Sequence, residues 1–497
     1  MLIDRISGYR VEKHKPVPRI IVSAQTWRSL ARELASGGVT LFGLWGDTGQ
    51  VHMALMEESE LVVVTIECPD GKFPSVGALH PPALRLERTI HDLFGFEPLE
   101  LPDQRPWLDH GRFGASRPLG AHLQTAPVSS HYRFLPTEGE GLHEIAVGPV
   151  HAGIIEPGHF RFTVNGETIV RLEQRLGYVH KGIETLMAGA SIEQAAHLAG
   201  RTSGDSTVAY AIAFAHAVEA ATGVQPPRRA VFLRALMAEL ERLANHLGDI
   251  GAICNDASFV LMHAQTGILR ERCLRASHAC FGHRLMMDVV VPGGLARDLA
   301  TGGVPQLREL IAELRKLFPR LVELYDNTAS LQDRTVATGW VQPSLVRHYG
   351  AGGYVGRASG RAFDARKTLS YPPYDALNFE VPRLEAGDVD ARVWIRIREV
   401  EQSLSLIEQL LDQLPDGPIC TGINPTASCE GLGVAEAFRG DVLVWVSLDG
   451  DRITRCHLRD PSWFQWPLLE AAIKDNIVAD FPLCNKSFNC SYSGHDL

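Results

Sequence analysis

The sequence predicts an α+β chain: an N-terminal α/β domain, then a helix-bundle-rich domain carrying small β-hairpins. Three observations predict it. Before residue 100, short β-rich runs alternate with helical spacing. Beyond residue 190, long stretches place apolar residues on a 3.6-residue period. Strand-like runs flank the turn signals Asn165-Gly166 and Asp449-Gly450-Asp451. At 497 residues the chain exceeds one ordinary core, and its 45% hydrophobic and 21% charged content suits a folded protein.

Taken in order, Trp27–Ser36 reads as helix, Val39–Trp45 as strand, and Val51–Met56 and Leu61–Ile66 as two more strands. Ala83–Ile90 is helical and runs into His91-Asp92-Leu93-Phe94-Gly95. Residues 1–100 are therefore assigned to the first domain. Residues 101–144 are rich in Pro, Gly and His and are expected to be a surface linker. The second domain, 145–497, opens with the strands Ile145–Val150 and Phe160–Leu172, the latter folded into a hairpin. Long helices are expected over Ala230–Ile253, Leu307–Leu331 and Val393–Leu414, and a late hairpin over Leu443–Leu458.

Composition excludes several functions. Net charge is −10 and the pI is near 6.1, which speaks against a nucleic-acid partner. The nine cysteines include no Cys-x-x-Cys pair, so zinc ribbons and clusters built from such pairs are excluded. The odd, irregularly spaced count also disfavours a secreted disulfide scaffold. The N-terminus lacks a signal-peptide apolar core, and no apolar run reaches membrane-spanning length.

Five constellations could carry chemistry. Gly148–Phe162 places His151, Glu156 and His159 in a Gly/Pro-rich loop, where an imidazole could deliver a proton; a hydrogen-bonded turn is the plain alternative. Leu176–Glu184 crowds aromatic, basic and acidic groups that ion pairing within a turn explains equally well. Arg201–Ser206 precedes the apolar run Thr207–Glu219, and Asp205 or Ser206 is expected to cap that helix. Gly350–Gly360 lacks the preceding strand and following helix of a nucleotide cradle, so a Rossmann site is rejected. The aromatic C-terminus, Asp460–Leu497, is expected to be buried. Cys273 and Cys280 read as core thiols, and no Gly-x-Ser-x-Gly elbow supports a serine triad.

The run Glu87–Gly95 resembles the small peripheral-arm subunit of respiratory complex I. From Gly148 onward the chain resembles the large subunit of energy-converting, membrane-bound nickel–iron hydrogenases of the formate hydrogenlyase type, a fold shared with the quinone-pocket subunit of complex I. The matching motifs are Glu156–Phe160, Gly177–Glu184, Glu241–Gly251, Gly293–Asp298, Arg357–Gly360 and Asp480–Leu483. A fusion of both modules is itself typical of that type.

The resemblance implies four nickel-holding thiolates from two Cys-x-x-Cys motifs, soft sulfur being what such a metal needs. Here those positions are Ser203, Ser206, Ser491 and Gly494. Cys490 is one residue out of register, and the chain ends three residues after Gly494, so no segment for a maturation protease is expected. Hydrogenase activity is not expected, nor any metal or other cofactor bound by this chain itself. What the resemblance still implies is a peripheral subunit of an ion-translocating oxidoreductase complex at the cytoplasmic face of the membrane. Its partners would be a small Fe–S subunit, whose cluster faces the vacated site, and integral membrane subunits. A quinone or other acceptor would fill the cavity. His159 and His151 are the candidate pocket residues, with Glu156, His159 and Asp205 serving proton transfer. The rival reading is a non-catalytic subunit that transmits conformational change to an antiporter-like membrane module.

Overall fold

The computed structural model describes residues 2–111, 115–120, 124–125, 132–149, 155–425 and 427–497. The N-terminal region follows the sequence closely. Helix α1 (Ala24–Ser36) is capped by Ser23, whose Oγ accepts the Thr26 amide, and buries Trp27, Leu30 and Leu34. Strands β1 (Thr40–Asp47), β2 (Gln50–Glu57) and β3 (Glu60–Glu67) form antiparallel hairpins. Arg19–Ile21 adds parallel to β3, and Tyr9–Val11 completes this five-stranded sheet. Helix α2 (Leu84–Phe94) follows a short turn.

The charged residues of α2 hold the chain that comes after it. The Asp92 carboxylate accepts the amides of Trp107, Leu108 and Asp109, and Arg88 donates to Asp103 and to the carbonyls of Arg105 and Pro106. Trp107 and Leu108 are buried in consequence. The expected surface linker is therefore interior wall over this stretch, because a buried carboxylate stabilises its turn by satisfying three backbone donors.

Strands β4 (Leu142–Val147), β5 (His159–Asn165) and β6 (Thr168–Arg175) make an antiparallel sheet, with the turn at Asn165-Gly166 as expected. Helices α3 (Thr207–Thr222), α4 (Arg228–Asp256) and α5 (Val260–Phe281) follow. The single helix expected over Leu307–Leu331 is two: α6 (Gly303–Asp326) and Ala329–Thr335, parted where Thr328 turns its hydroxyl onto the Leu324 carbonyl. Next comes α7 (Val389–Asp412). The glycine-rich Gly350–Gly360 stretch holds the short helix Gly353–Ala358 and is preceded by the helix Pro343–Tyr349 rather than a strand.

The late hairpin is larger than its sequence suggests. Strands β8 (Gly440–Asp449) and β9 (Arg452–Arg459) are joined by β7 (Cys429–Ala437), which no local sequence pattern announces, and His14–Lys15 pairs parallel to β7. Two faces of aromatic and aliphatic side chains, Trp45 and Leu61 from the first sheet and Leu443 and Trp445 from this one, share a core. The tail forms helices α8 (Ser462–Ala472), α9 (Phe481–Phe488) and α10 (Tyr492–Asp496). It is buried as expected: His495 and Asp496 are fully inaccessible, and His495 stacks on Trp463 at 4.0 Å. Burial lifts the Cys273 and Cys280 thiols to about 12 and about 11, which makes them inert core groups. Among the described residues no helix is long and apolar enough to cross a membrane.

Candidate functional site

The N-terminus of α3 meets the start of α10. Ser203 and Ser491 are both buried, and their hydroxyls lie 3.1 Å apart although 288 residues separate them in sequence. Ser203 also donates to Asp205 at 2.8 Å, and Ser491 caps α10 by accepting the Gly494 amide at 2.9 Å. Ser206 lies beside Arg439, 3.4 Å from its guanidinium. The four positions that the resemblance marks as ligands therefore converge.

Their surroundings are polar and closed by internal bonds. Arg439, in the turn between β7 and β8, grips Asp205 through two contacts of 2.7 and 2.5 Å and donates to the Asn489 carbonyl. Burial alone would raise the Asp205 carboxyl, but the Arg439 charge and the Ser203 hydroxyl hold it below its usual range. Asp460 accepts the Tyr210 hydroxyl at 2.7 Å. A Cβ built on Gly494 would sit 2.4 Å from Asp460 Oδ2 and 2.9 Å from Ser491 Oγ, so no side chain fits there without displacing them.

Capping of α3 differs from the expectation. Neither Asp205 nor Ser206 caps it; Glu241 on α4 does, accepting the Val208 and Ala209 amides at 2.7 and 3.2 Å. Burial raises the Glu241 carboxyl to about 8. Asn245, one turn on, donates to the Asp205 carbonyl, and Asp249 accepts from Asn489 and Arg396. The Glu241–Gly251 motif thus braces the site from behind. Gly177–Glu184 is likewise not self-paired. Glu184 binds Arg455 and His457 on β9, His180 Nδ1 faces the Asp496 carbonyl, and Lys181 donates to Thr202.

A cavity of about 320 Å³ opens here, walled by Glu156, Asp205, Arg439, Lys486 and Ser491 among others. Glu156 accepts the Ser493 amide at 2.9 Å. His159 is not part of this wall. It begins β5, its ring lies 5.0 Å from Phe134, and burial together with Arg161 lowers its pKa. His151 lies outside the described residues. Sequence reasoning does not find Arg439, Asp460 and Tyr210 as site residues, since each stands alone in sequence and only the fold brings them to the serines.

Three family models match the chain. The 30 Kd subunit of respiratory-chain NADH dehydrogenase covers residues 21–127, nickel-dependent hydrogenase covers 181–248, and the 49 Kd subunit covers 258–430. Formate hydrogenlyase subunit 5 of Escherichia coli (strain K12) is 32% identical over 88% of this chain and 79% of its own length. The chain belongs to the formate hydrogenlyase subunit 5 family. It is a peripheral-arm subunit of the complex I-related type, with the 30 Kd and 49 Kd modules fused. The carbon monoxide-induced hydrogenase of Rhodospirillum rubrum is 32% identical over 70% of this chain and 97% of its own length. Among solved structures, a chain of the membrane-bound sulfane sulfur reductase, an archaeal respiratory membrane complex, superposes with a TM-score of 0.68 at 26% identity, over 72% of this chain and 99% of that one.

A nickel–iron centre does not fit the residues present. The converging positions offer three hydroxyls and a glycine, two of the hydroxyls are spent on each other, and the glycine's side-chain space belongs to Asp460. Among the described residues no three His, Cys, Asp or Glu side chains gather as a metal-holding group.

Proposed function

We propose that the chain forms the acceptor end of a membrane-bound, ion-translocating oxidoreductase complex and works there without a nickel–iron centre. The observation that carries this reading is the hydroxyl-lined, ion-paired cavity standing where the ligand positions converge. In this reading a small Fe–S partner packs against the cavity at the cytoplasmic face, integral membrane subunits lie beneath, and a quinone or another two-electron acceptor enters. Glu156 is on the wall, where its carboxylate accepts the Ser493 amide, and it passes protons to the reduced acceptor; Asp205, held ionised by Arg439, fixes charge elsewhere on the same wall. His159, which does not line the cavity and lies against Phe134, is read as a packing residue instead.

The test uses the intact complex, with its clusters reduced by dithionite and their reoxidation by decylubiquinone or polysulfide followed spectroscopically. Glu156→Gln is expected to slow reoxidation about tenfold or more, and His159→Ala less than about twofold. If Glu156→Gln and Asp205→Asn both leave every acceptor rate unchanged, the chain has a coupling role and is not an acceptor site.

A further inference from the structure

The flank of α3 away from Asp205 lines a second and larger cavity of about 840 Å³. Its walls are apolar: Ile212 from α3, Val231 from α4, Leu432 from β7, and Leu369 from the turn that closes it. A volume and lining of this kind suit a small apolar ligand oriented by a few polar groups.

Two rings supply those groups. His216 places Nδ1 3.1 Å from the Val434 carbonyl, so that nitrogen carries the proton and Nε2 presents a lone pair. Nε2 has no hydrogen-bond partner among the described residues. The Tyr371 oxygen accepts the Glu436 amide at 3.1 Å, which leaves its own O–H to donate. The two rings stand edge to face with centroids 5.4 Å apart. One oxygen seated between them that both donates and accepts would satisfy both. A carbonyl cannot donate to His216, and an ether cannot either.

Charge in the wall is already spent. Arg234 is closed on Glu219 at 3.0 and 2.6 Å and on the Val291 and Gly294 carbonyls, and Lys15 is solvent-exposed. An anionic head group therefore finds no inner cation. Pro372, Pro373 and Tyr374 present flat surface beside Tyr371, which favours an aromatic body.

We propose that this cavity binds a neutral lipophilic phenol, its hydroxyl donating to His216 Nε2 and accepting from Tyr371. The proposal stands apart from the acceptor cavity and survives the failure of that reading.

Calorimetric titration of the purified full chain with 4-hexylphenol, its methyl ether and decanoate tests it. The phenol is expected to bind at one site, and the ether and decanoate at least tenfold more weakly. His216→Phe should lower phenol affinity to that of the ether and leave ether affinity unchanged. Ala238→Trp, at another wall position, should abolish binding of both, while Asp205→Asn leaves phenol binding intact. Equal affinity for phenol and ether, decanoate binding as tight as the phenol, or no saturable binding would each overturn the proposal. If circular dichroism shows that His216→Phe fails to fold, Tyr371→Phe should weaken phenol and ether alike and keep the gap between them, and loss of that gap would overturn the proposal.

Discussion

The two flanks of helix Thr207–Thr222 differ in everything but the helix. At its N-terminus serines, Asp205 and Arg439 make a polar cavity; along its side and toward its C-terminus, alanines and Ile212 line an apolar one. The helix contributes no side chain to the polar cavity, whereas it gives the apolar one several small side chains together with Ile212, His216 and Glu219. Each end is also held by a buried carboxylate, but with different partners. Glu219 is paired with the Arg234 guanidinium, whereas Glu241 faces two amides and burial raises its carboxyl to about 8. A buried carboxylate without a close compensating cation is pushed toward its protonated form.

That contrast sets the order of expected effects. Glu219→Ala leaves Arg234 as an uncompensated buried charge and should cost about 3–5 kcal/mol in urea unfolding of the purified chain. A cost below about 1 kcal/mol would mean that the pair is not buried in solution.

Glu241→Gln removes a titration rather than an ion pair. The folded carboxyl holds its proton up to about 8 against an ordinary value of 4.5, so the group's contribution is complete below 4.5 and is lost as pH rises through about 8. Wild-type stability relative to Glu241→Gln should fall by on the order of 5 kcal/mol between these limits. Parallel pH profiles for the two proteins would show that Glu241 is ionised throughout.

Gly433→Ala probes the apolar flank. Its added Cβ would sit 2.1 Å from the Ala213 carbonyl oxygen on the helix, and the forced separation should cost about 1–3 kcal/mol. The smallest effect is expected from Ser203→Ala. It deletes the bonds to Asp205 and Ser491 and should lower stability by about 1 kcal/mol, with the Asp205–Arg439 pair intact.

The same flanks explain what the sequence could reveal. Asn165-Gly166 and Asp449-Gly450 mark their hairpins because turn chemistry is local. The long helices are visible from their period, and the motifs around Ser203 and Ser491 point to one site because both ends carry recognisable neighbours. Strand Cys429–Ala437 is hidden by Gly431 and Gly433. These glycines let the strand approach the helix backbone at Ala217 and Ala213, and they break the alternation that identifies strands. Arg439 is hidden with it, since its pairing to Asp205 spans 234 residues and no local pattern announces it. The Asp92 turn escapes detection for a related reason: proline-rich composition suggests exposure, while burial there depends on a carboxylate fifteen residues upstream.

Converging hydroxyls and a glycine, at the positions where the resemblance implies four thiolates, do not fit a nickel–iron centre. Nickel analysis of the affinity-purified native complex, with infrared spectra in the region of iron-bound carbon monoxide and cyanide, tests this directly. Iron and acid-labile sulfide without stoichiometric nickel, and no such bands, is the predicted result. Stoichiometric nickel accompanied by those bands would contradict it and require a ligand set other than Ser203, Ser206, Ser491 and Gly494.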